Sequence, residues 1–132
     1  WSGEGDRELP VAELVTGNGT TSLERGEVLR AIRLPAKALR SRAALRKIAL
    51  AEHGRSGAVV TGRVDPDGAS VFGVTAATWR PTVLRFATLP DAATLAAAIE
   101  DSSGYYTDPL GSADWRRGVA VALAEDIRRE LA

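Results

Sequence analysis

The 132-residue chain contains no cysteine, no methionine and a single histidine, His53, and only 5% of its residues are aromatic. Without cysteine it forms no disulfide and offers no thiolate to zinc or to an iron–sulfur cluster. One histidine excludes a histidine-rich metal site. No apolar run approaches the ~20 residues that a membrane-spanning helix requires. No charged–apolar–small pattern of a secretory signal is present, so an intracellular, cytoplasmic protein is the default expectation. The chain starts at Trp1 with no initiator, which suggests a piece of a longer protein.

Charge balances overall but is unevenly placed. Residues 1–29 carry −4, residues 30–63 carry +8 with Glu52 as their one acid, and residues 64–132 carry −4. A basic centre suits phosphates or an acidic partner surface. It equally suits internal screening by the acidic flanks. Nucleic acid is not indicated, because the basic block lacks interleaved aromatics and any nucleic-acid motif.

The chain is organised around residues 57–78, GAVVTGRVDPDGASVFGVTAAT. Two alternating strands flank Asp65-Pro66-Asp67-Gly68. Pro66 presets φ for a type I turn, Asp65 can hydrogen-bond back to the turn, and Gly68 accepts the left-handed conformation. Val60 and Val64 share one side of the first strand, Val59 and Thr61 the other; Val71, Gly73 and Thr75 alternate with Phe72, Val74 and Ala76. A lone hairpin is marginal in water, so more strands and a helical layer must complete it.

Residues 1–6 read as a loose polar end, 12–15 as a helical turn stopped by Gly17, and 17–21 as a loop. Residues 1–25 together read as a lead-in from a preceding domain, and 26–132 as the domain proper. The alternation over 27–35 favours a strand ended by Pro35, although its first half also fits a short helix. A basic connection follows over 36–42. Residues 43–51 are ambiguous by propensity and are assigned to a strand by context, and 82–86 form a further strand. Asp91 caps a helix with Leu95 and Ile99 four apart, and Ser112 caps a longer one. On that last helix Trp115, Val119, Leu123, Ile127 and Leu131 recur every four residues, Ala122 widens the stripe, and Glu125–Arg129 form an i, i+4 pair. Strands first and helices after define an α+β fold, with a small antiparallel sheet of three to four strands covered on one face by C-terminal helices.

No catalytic constellation emerges. His53 lies in a turn, with no nucleophile elbow. Gly17-Asn18-Gly19 lacks the strand–turn–helix frame of a phosphate cradle. Asp65 and Asp67 lack the ligand spacing of a calcium loop and are better explained by the turn. Tyr105, Tyr106 and Trp79-Arg80-Pro81 fit closure of the core's end better than ligand stacking. Arg55-Ser56, on a tight glycine-flanked loop, suits either an anion or a neighbouring carbonyl.

Several segments nevertheless resemble one family. Gly26-Glu27-Val28-Leu29-Arg30-Ala31-Ile32-Arg33-Leu34-Pro35 resembles the segment that opens the C-terminal domain in flavoprotein subunits of the xanthine dehydrogenase/carbon monoxide dehydrogenase family. Arg46-Lys47 matches a strand position at which that family commonly has Lys, and Arg7-Glu8-Leu9-Pro10 looks like the close of its FAD domain. Gly111-Ser112-Ala113-Asp114-Trp115-Arg116-Arg117 resembles the G-S-A-(D/E)-(Y/W)-R signature of its last helix. The likeness spans nearly the whole chain, although many members have Gly-Gly-Val where this chain reads Val74-Thr75-Ala76-Ala77-Thr78. It implies a domain beside FAD, with the glycine-rich pyrophosphate loops upstream of Trp1. Its implied partners are a molybdopterin-binding subunit that oxidises substrate and an iron–sulfur subunit that relays electrons to the flavin, which then reduces an acceptor. The same resemblance places Leu29 near the isoalloxazine ring and Lys47 where an ammonium approaches it. A cation there favours negative charge on the ring and raises its potential. The rival expectation is a stand-alone interaction module that docks an acidic protein through residues 30–63.

Overall fold

The computed structural model describes residue 3 and residues 5–132; the loose end expected over 1–6 lies partly outside the described residues. The described residues fold as an α+β unit with helices α1 (Val11–Leu14), α2 (Ala36–Leu39), α3 (Ala92–Glu100) and α4 (Ala113–Leu131). A small ribbon pairs β1 (Val15–Gly17) with β2 (Thr20–Thr21), and the main antiparallel sheet runs β3 (Arg42–Ala49), β4 (Ser56–Val64), β5 (Ser70–Thr75), β6 (Thr82–Phe86) in chain order. Among the described residues no helix is long and apolar enough to cross a membrane.

The β4–β5 hairpin is the centre of the sheet. Its turn closes through Gly68 N–H to the Asp65 carbonyl at 2.9 Å, with Gly68 at φ +88°. The Asp65 carboxylate does not serve the turn as expected. It accepts from Ser41 Oγ at 2.6 Å and Arg63 Nε at 2.9 Å, while Asp67 accepts from the Ala69 amide at 3.2 Å. Pulled down chiefly by the Ser41 hydrogen bond, the Asp65 pKa lies below its ordinary value. Lys37 reaches Asp67 at 2.6 Å and so ties α2 to the turn.

Alternation sorts the strands into two faces. Ala58, Val60, Phe72 and Val74 form the buried face against Leu95 and Ile99 of α3 and Ala120, Ala124, Ile127 and Leu131 of α4, flanked by the partly buried Ala44, Ile48, Leu84 and Phe86. Helix α4 lies across β3 and β4, and α3 packs beside it. Both helices start as their sequences require: Asp91 accepts from Thr94 N–H at 2.7 Å and Ser112 from Trp115 N–H at 3.2 Å. Each supplies one of the acceptors that the first turn lacks.

Three further expectations change. The strand expected over 27–35 is absent; the segment is extended and exposed, with side-chain ion pairs instead of a sheet ladder. The loop expected at 17–21 contains the β1–β2 ribbon, turned by Asn18-Gly19 with Gly19 at φ +70°, a pair that favours tight hairpins. On α4 the buried stripe runs Arg116, Ala120, Ala124, Ile127, Leu131: Ile127 and Leu131 are buried as expected, the first three positions lie one residue round from Trp115, Val119 and Leu123, and Ala122 is exposed. The Glu125–Arg129 pair forms at 2.8 Å, and Arg128 joins it at 2.6 Å; led by the Arg128 hydrogen bond, these hold the Glu125 pKa at about 2.

The close approach of α4 depends on Gly62, where a Cβ would overlap Ile127 and come within 3.0 Å of Phe72. Overpacking there forces backbone shifts. Gly62→Ala is therefore expected to lower stability by about 1–3 kcal/mol, read from urea unfolding, whereas Ala122→Ser on the exposed side of α4 changes it little.

Candidate functional site

Lys47 stands on the face of the sheet opposite α3 and α4; at the β6 edge of the sheet, Ala12, Glu13, Val15 and Thr16 line a cleft with Thr82 and Val83. Register places Lys47 beside Val59 and Val59 beside Thr75, with Leu45, Thr61, Gly73 and Val83 forming the next row. Leu45 and Val83 are exposed there. The Lys47 ammonium is exposed, and among the described residues its side chain makes no ion pair or hydrogen bond. It is a cation without an acidic partner among the described residues; the adjoining row is uncharged, and Arg63 and Arg85 lie one row further along the same face.

Leu29 lies elsewhere. It is 49% exposed and lines an open groove of about 810 Å³ between residues 6–14 and 23–33, together with Leu9, Leu14, Leu23 and Ile32. Lys47 does not line that groove, so the chain alone does not bring the two residues into one cavity.

The remaining basic residues of 30–63 are mostly engaged within the chain. Arg30 pairs with Asp6 at 2.7 Å, Arg33 with Glu8 at 3.1 Å and Arg63 with Asp65 at 2.9 Å. Arg46 pairs with Glu130, and Arg42 donates to the Leu131 carbonyl at 2.6 Å, where a cation suits the end of α4. Beyond Lys47, Arg40 and Arg55 are the members of the block without a side-chain hydrogen bond or ion pair among the described residues. Internal screening, not a bare cationic surface, accounts for most of the basic centre.

The G-S-A-D-W-R signature proves to be an anchor. Gly111 adopts φ +153°, and a Cβ on it would come within 2.5 Å of the Trp115 ring. The same ring covers Gly57, where a Cβ would lie 2.7 Å away. Gly57 is the unpaired residue between the Ile48–Ala58 and Ala49–Ser56 pairs; such a bulge turns backbone groups away from the ladder. Arg116, with its side chain 0% exposed, uses those groups. Its guanidinium donates to the Gly57 carbonyl at 2.7 Å, the Ala76 carbonyl at 2.6 Å, the Gly111 carbonyl at 3.3 Å and the Asp108 carboxylate. It also lies 4.2 Å from the centre of the Tyr106 ring. Burial works against the Asp108 carboxylate, but the Leu110 amide and Arg116 outweigh it, and its pKa lies below the ordinary value. Ala76 holds φ +62°, a conformation costly for alanine, with its carbonyl fixed by Arg116 and by Tyr106 Oη at 2.9 Å. Ala76 lies within the stretch Val74-Thr75-Ala76-Ala77-Thr78, where this chain departs from the Gly-Gly-Val of the family it resembles.

Of the other candidates, Tyr105, Tyr106 and Trp79 take structural roles. Tyr105 Oη donates to the Ile99 carbonyl at 3.1 Å, and Trp79 stacks on Tyr106 with ring centres 4.5 Å apart. Ser56 begins β4 opposite Ala49, Arg55 is exposed beside it, and His53 is exposed in the preceding loop. Among the described residues no group of three or more His, Cys, Asp or Glu side chains is placed to hold a metal.

The fold and the open sheet face together define an α+β module with one sealed and one available side. That fold is found in known enzymes. The chain is similar to a chain of the Cu,Mo-CO dehydrogenase in its cyanide-inactivated form, with a TM-score of 0.80 and 23% identity. It is also similar to a chain of quinoline 2-oxidoreductase from Pseudomonas putida 86, with a TM-score of 0.74 and 20% identity. Each match covers 98% of this chain and 50% of the other, so the chain spans about half the length of these relatives. No family model and no curated protein matches it.

Removing the buried guanidinium takes a donor from Asp108 and from the Gly57, Ala76 and Gly111 carbonyls, although Ala76 keeps Tyr106 and Asp108 keeps the Leu110 amide. Arg116→Leu is expected to destabilise the protein by about 3–5 kcal/mol, the range for breaking a buried pair, and Asp108→Asn by less, since an amide oxygen still accepts. Because the folded-state pKa of Asp108 is depressed, its contribution is complete above about pH 4 and is lost as pH falls through the lower folded value. Urea midpoints should therefore drop over that window, and less steeply in Asp108→Asn.

Proposed function

We propose that this chain is the C-terminal part of the FAD-binding subunit of a molybdenum-containing hydroxylase or dehydrogenase of the xanthine dehydrogenase/carbon monoxide dehydrogenase type. Residues 26–132 form its C-terminal domain and residues 1–25 the end of the FAD domain. The observation that carries this reading is the fold likeness to the Cu,Mo-CO dehydrogenase chain over 98% of this chain, in agreement with the order of the sequence motifs. The module packs beside the flavin in a cytoplasmic assembly with molybdopterin-binding and iron–sulfur subunits. The flavin supplies electron transfer from the iron–sulfur centres to an acceptor.

The residues present fit one side of such a ring. Lys47 offers an ammonium that no acid of the described residues neutralises, and the adjoining uncharged row of Leu45, Thr61, Gly73 and Val83 can lie against a planar aromatic system. Leu29 offers apolar contact from an exposed position. The first would favour negative charge on the ring, and the second would exclude water from its edge. The rival reading as an acidic-protein docking module gains no support, since most of its basic residues already have partners within the chain.

In the full-length protein, Lys47→Ala is expected to weaken FAD binding about tenfold, equivalent to ~1.4 kcal/mol, or to lower the flavin's reduction potential. Flavin titration and potentiometry check this, and unchanged values in both would remove the assignment of Lys47.

A further inference from the structure

Residues 5–35 are built unlike the rest of the chain. None of them is buried, so burial of apolar surface contributes little to their conformation. Charge does the holding instead. Three consecutive residues each pair with a residue of the segment that carries Leu29: Asp6 with Arg30, Arg7 with Glu27 and Glu8 with Arg33. The middle pair is the strongest by geometry. Arg7 meets both oxygens of Glu27, at 2.5 and 2.6 Å, and adds a bond to the Ser22 carbonyl at 2.7 Å. Glu27 in turn accepts from the Glu24 amide at 2.8 Å, and its side chain is 11% exposed. Bidentate, charge-assisted contacts of this kind fix orientation as well as distance. Driven first by the Arg7 hydrogen bond, the Glu27 pKa falls to about 2, so the pair stays charged through the neutral range.

We infer that Arg7 and Glu27, with the Asp6–Arg30 and Glu8–Arg33 pairs beside them, form an electrostatic clasp that holds residues 27–33 against residues 6–8 and so positions Leu29 for its flavin contact. The positioning role rests on the reading of Leu29 proposed above; the clasp rests on geometry. Leu29 follows Glu27 by two residues and lines the same groove as Asp6, Arg7 and Glu8. Freeing Glu27 therefore releases the stretch that presents Leu29. The β4–β5 hairpin and α4, held by a buried core, are unaffected.

The test uses the full-length protein and its Arg7→Gln, Glu27→Gln and doubly substituted forms. Hydrogen–deuterium exchange of peptides covering 23–33 reads the clasp directly. Each single variant should speed exchange there about three- to tenfold, as expected for loss of a ~1 kcal/mol pair. The double variant should be no worse than either single one, since the partners act together. Raising salt to about 1 M, where screening acts within ~3 Å, should reproduce the effect in the wild type. Titration of the apoprotein with FAD reads positioning, and Glu27→Gln should weaken binding about three- to tenfold, in step with the ~1 kcal/mol loss. Unchanged exchange in the single variants overturns the clasp. Faster exchange with unchanged FAD affinity overturns the positioning role. Whether the flavin reading itself stands is decided separately by Lys47→Ala, which leaves the clasp intact.

Discussion

The structure depends on one buried cation. Arg116 sits at the first turn of α4 with no solvent to satisfy it, and its acceptors come from the start of β4, the end of β5 and the loop before the helix. A guanidinium taken out of water is tolerable only when its charge and N–H groups find acceptors. Meeting them here draws three separate parts of the chain to one point. The unpaired Gly57 supplies a carbonyl, left-handed Ala76 turns another toward the same spot, and Tyr106 covers the cation while bonding to the same Ala76 oxygen. Glycines at 57, 62 and 111 give Trp115 and Ile127 the room to come close. The strained alanine, the bulge and the glycine contacts are consequences of docking α4 at that depth.

Sealing one face of the sheet leaves the other as the available surface. Its charge pattern follows from the same packing. Arg42 and Arg46 point to the end of α4, and Lys37 and Arg63 converge on the hairpin turn. Lys47, of opposite parity to Arg46 along β3, is left on the open face with no partner among the described residues. A strand's two-residue period thus separates a structural arginine from a neighbouring lysine that is available to a ligand.

Much of this was legible in the sequence because it is local. The Asp65-Pro66-Asp67-Gly68 turn, the caps Asp91 and Ser112 and the strand over 82–86 all appear where short-range rules put them. What was not legible depends on distant contacts. The alternation over 27–35 satisfies the pattern of a strand, yet among the described residues it joins no sheet, and ion pairs to residues 6–8 hold it. The first half of the stripe on α4 was misphased, while Ile127 and Leu131 were placed correctly, because a hydrophobic pattern counts Trp115 and discounts Arg116, although the run Arg116, Ala120, Ala124 has the spacing of a buried face. Nothing local announces a buried arginine. The resemblance marked the signature around it, and the backbone carbonyls explain it. For the candidate site, the exposure of Lys47 agreed with the strand assignment, whereas its separation from the Leu29 groove depends on tertiary placement.

The central claim, that this module serves beside a flavin in a larger redox assembly, is tested most directly by the visible absorption spectrum of the full-length protein purified under mild conditions. The account predicts flavin bands, with broad iron–sulfur absorption when the partner subunits are retained. A colourless protein that stays colourless after incubation with FAD would contradict it.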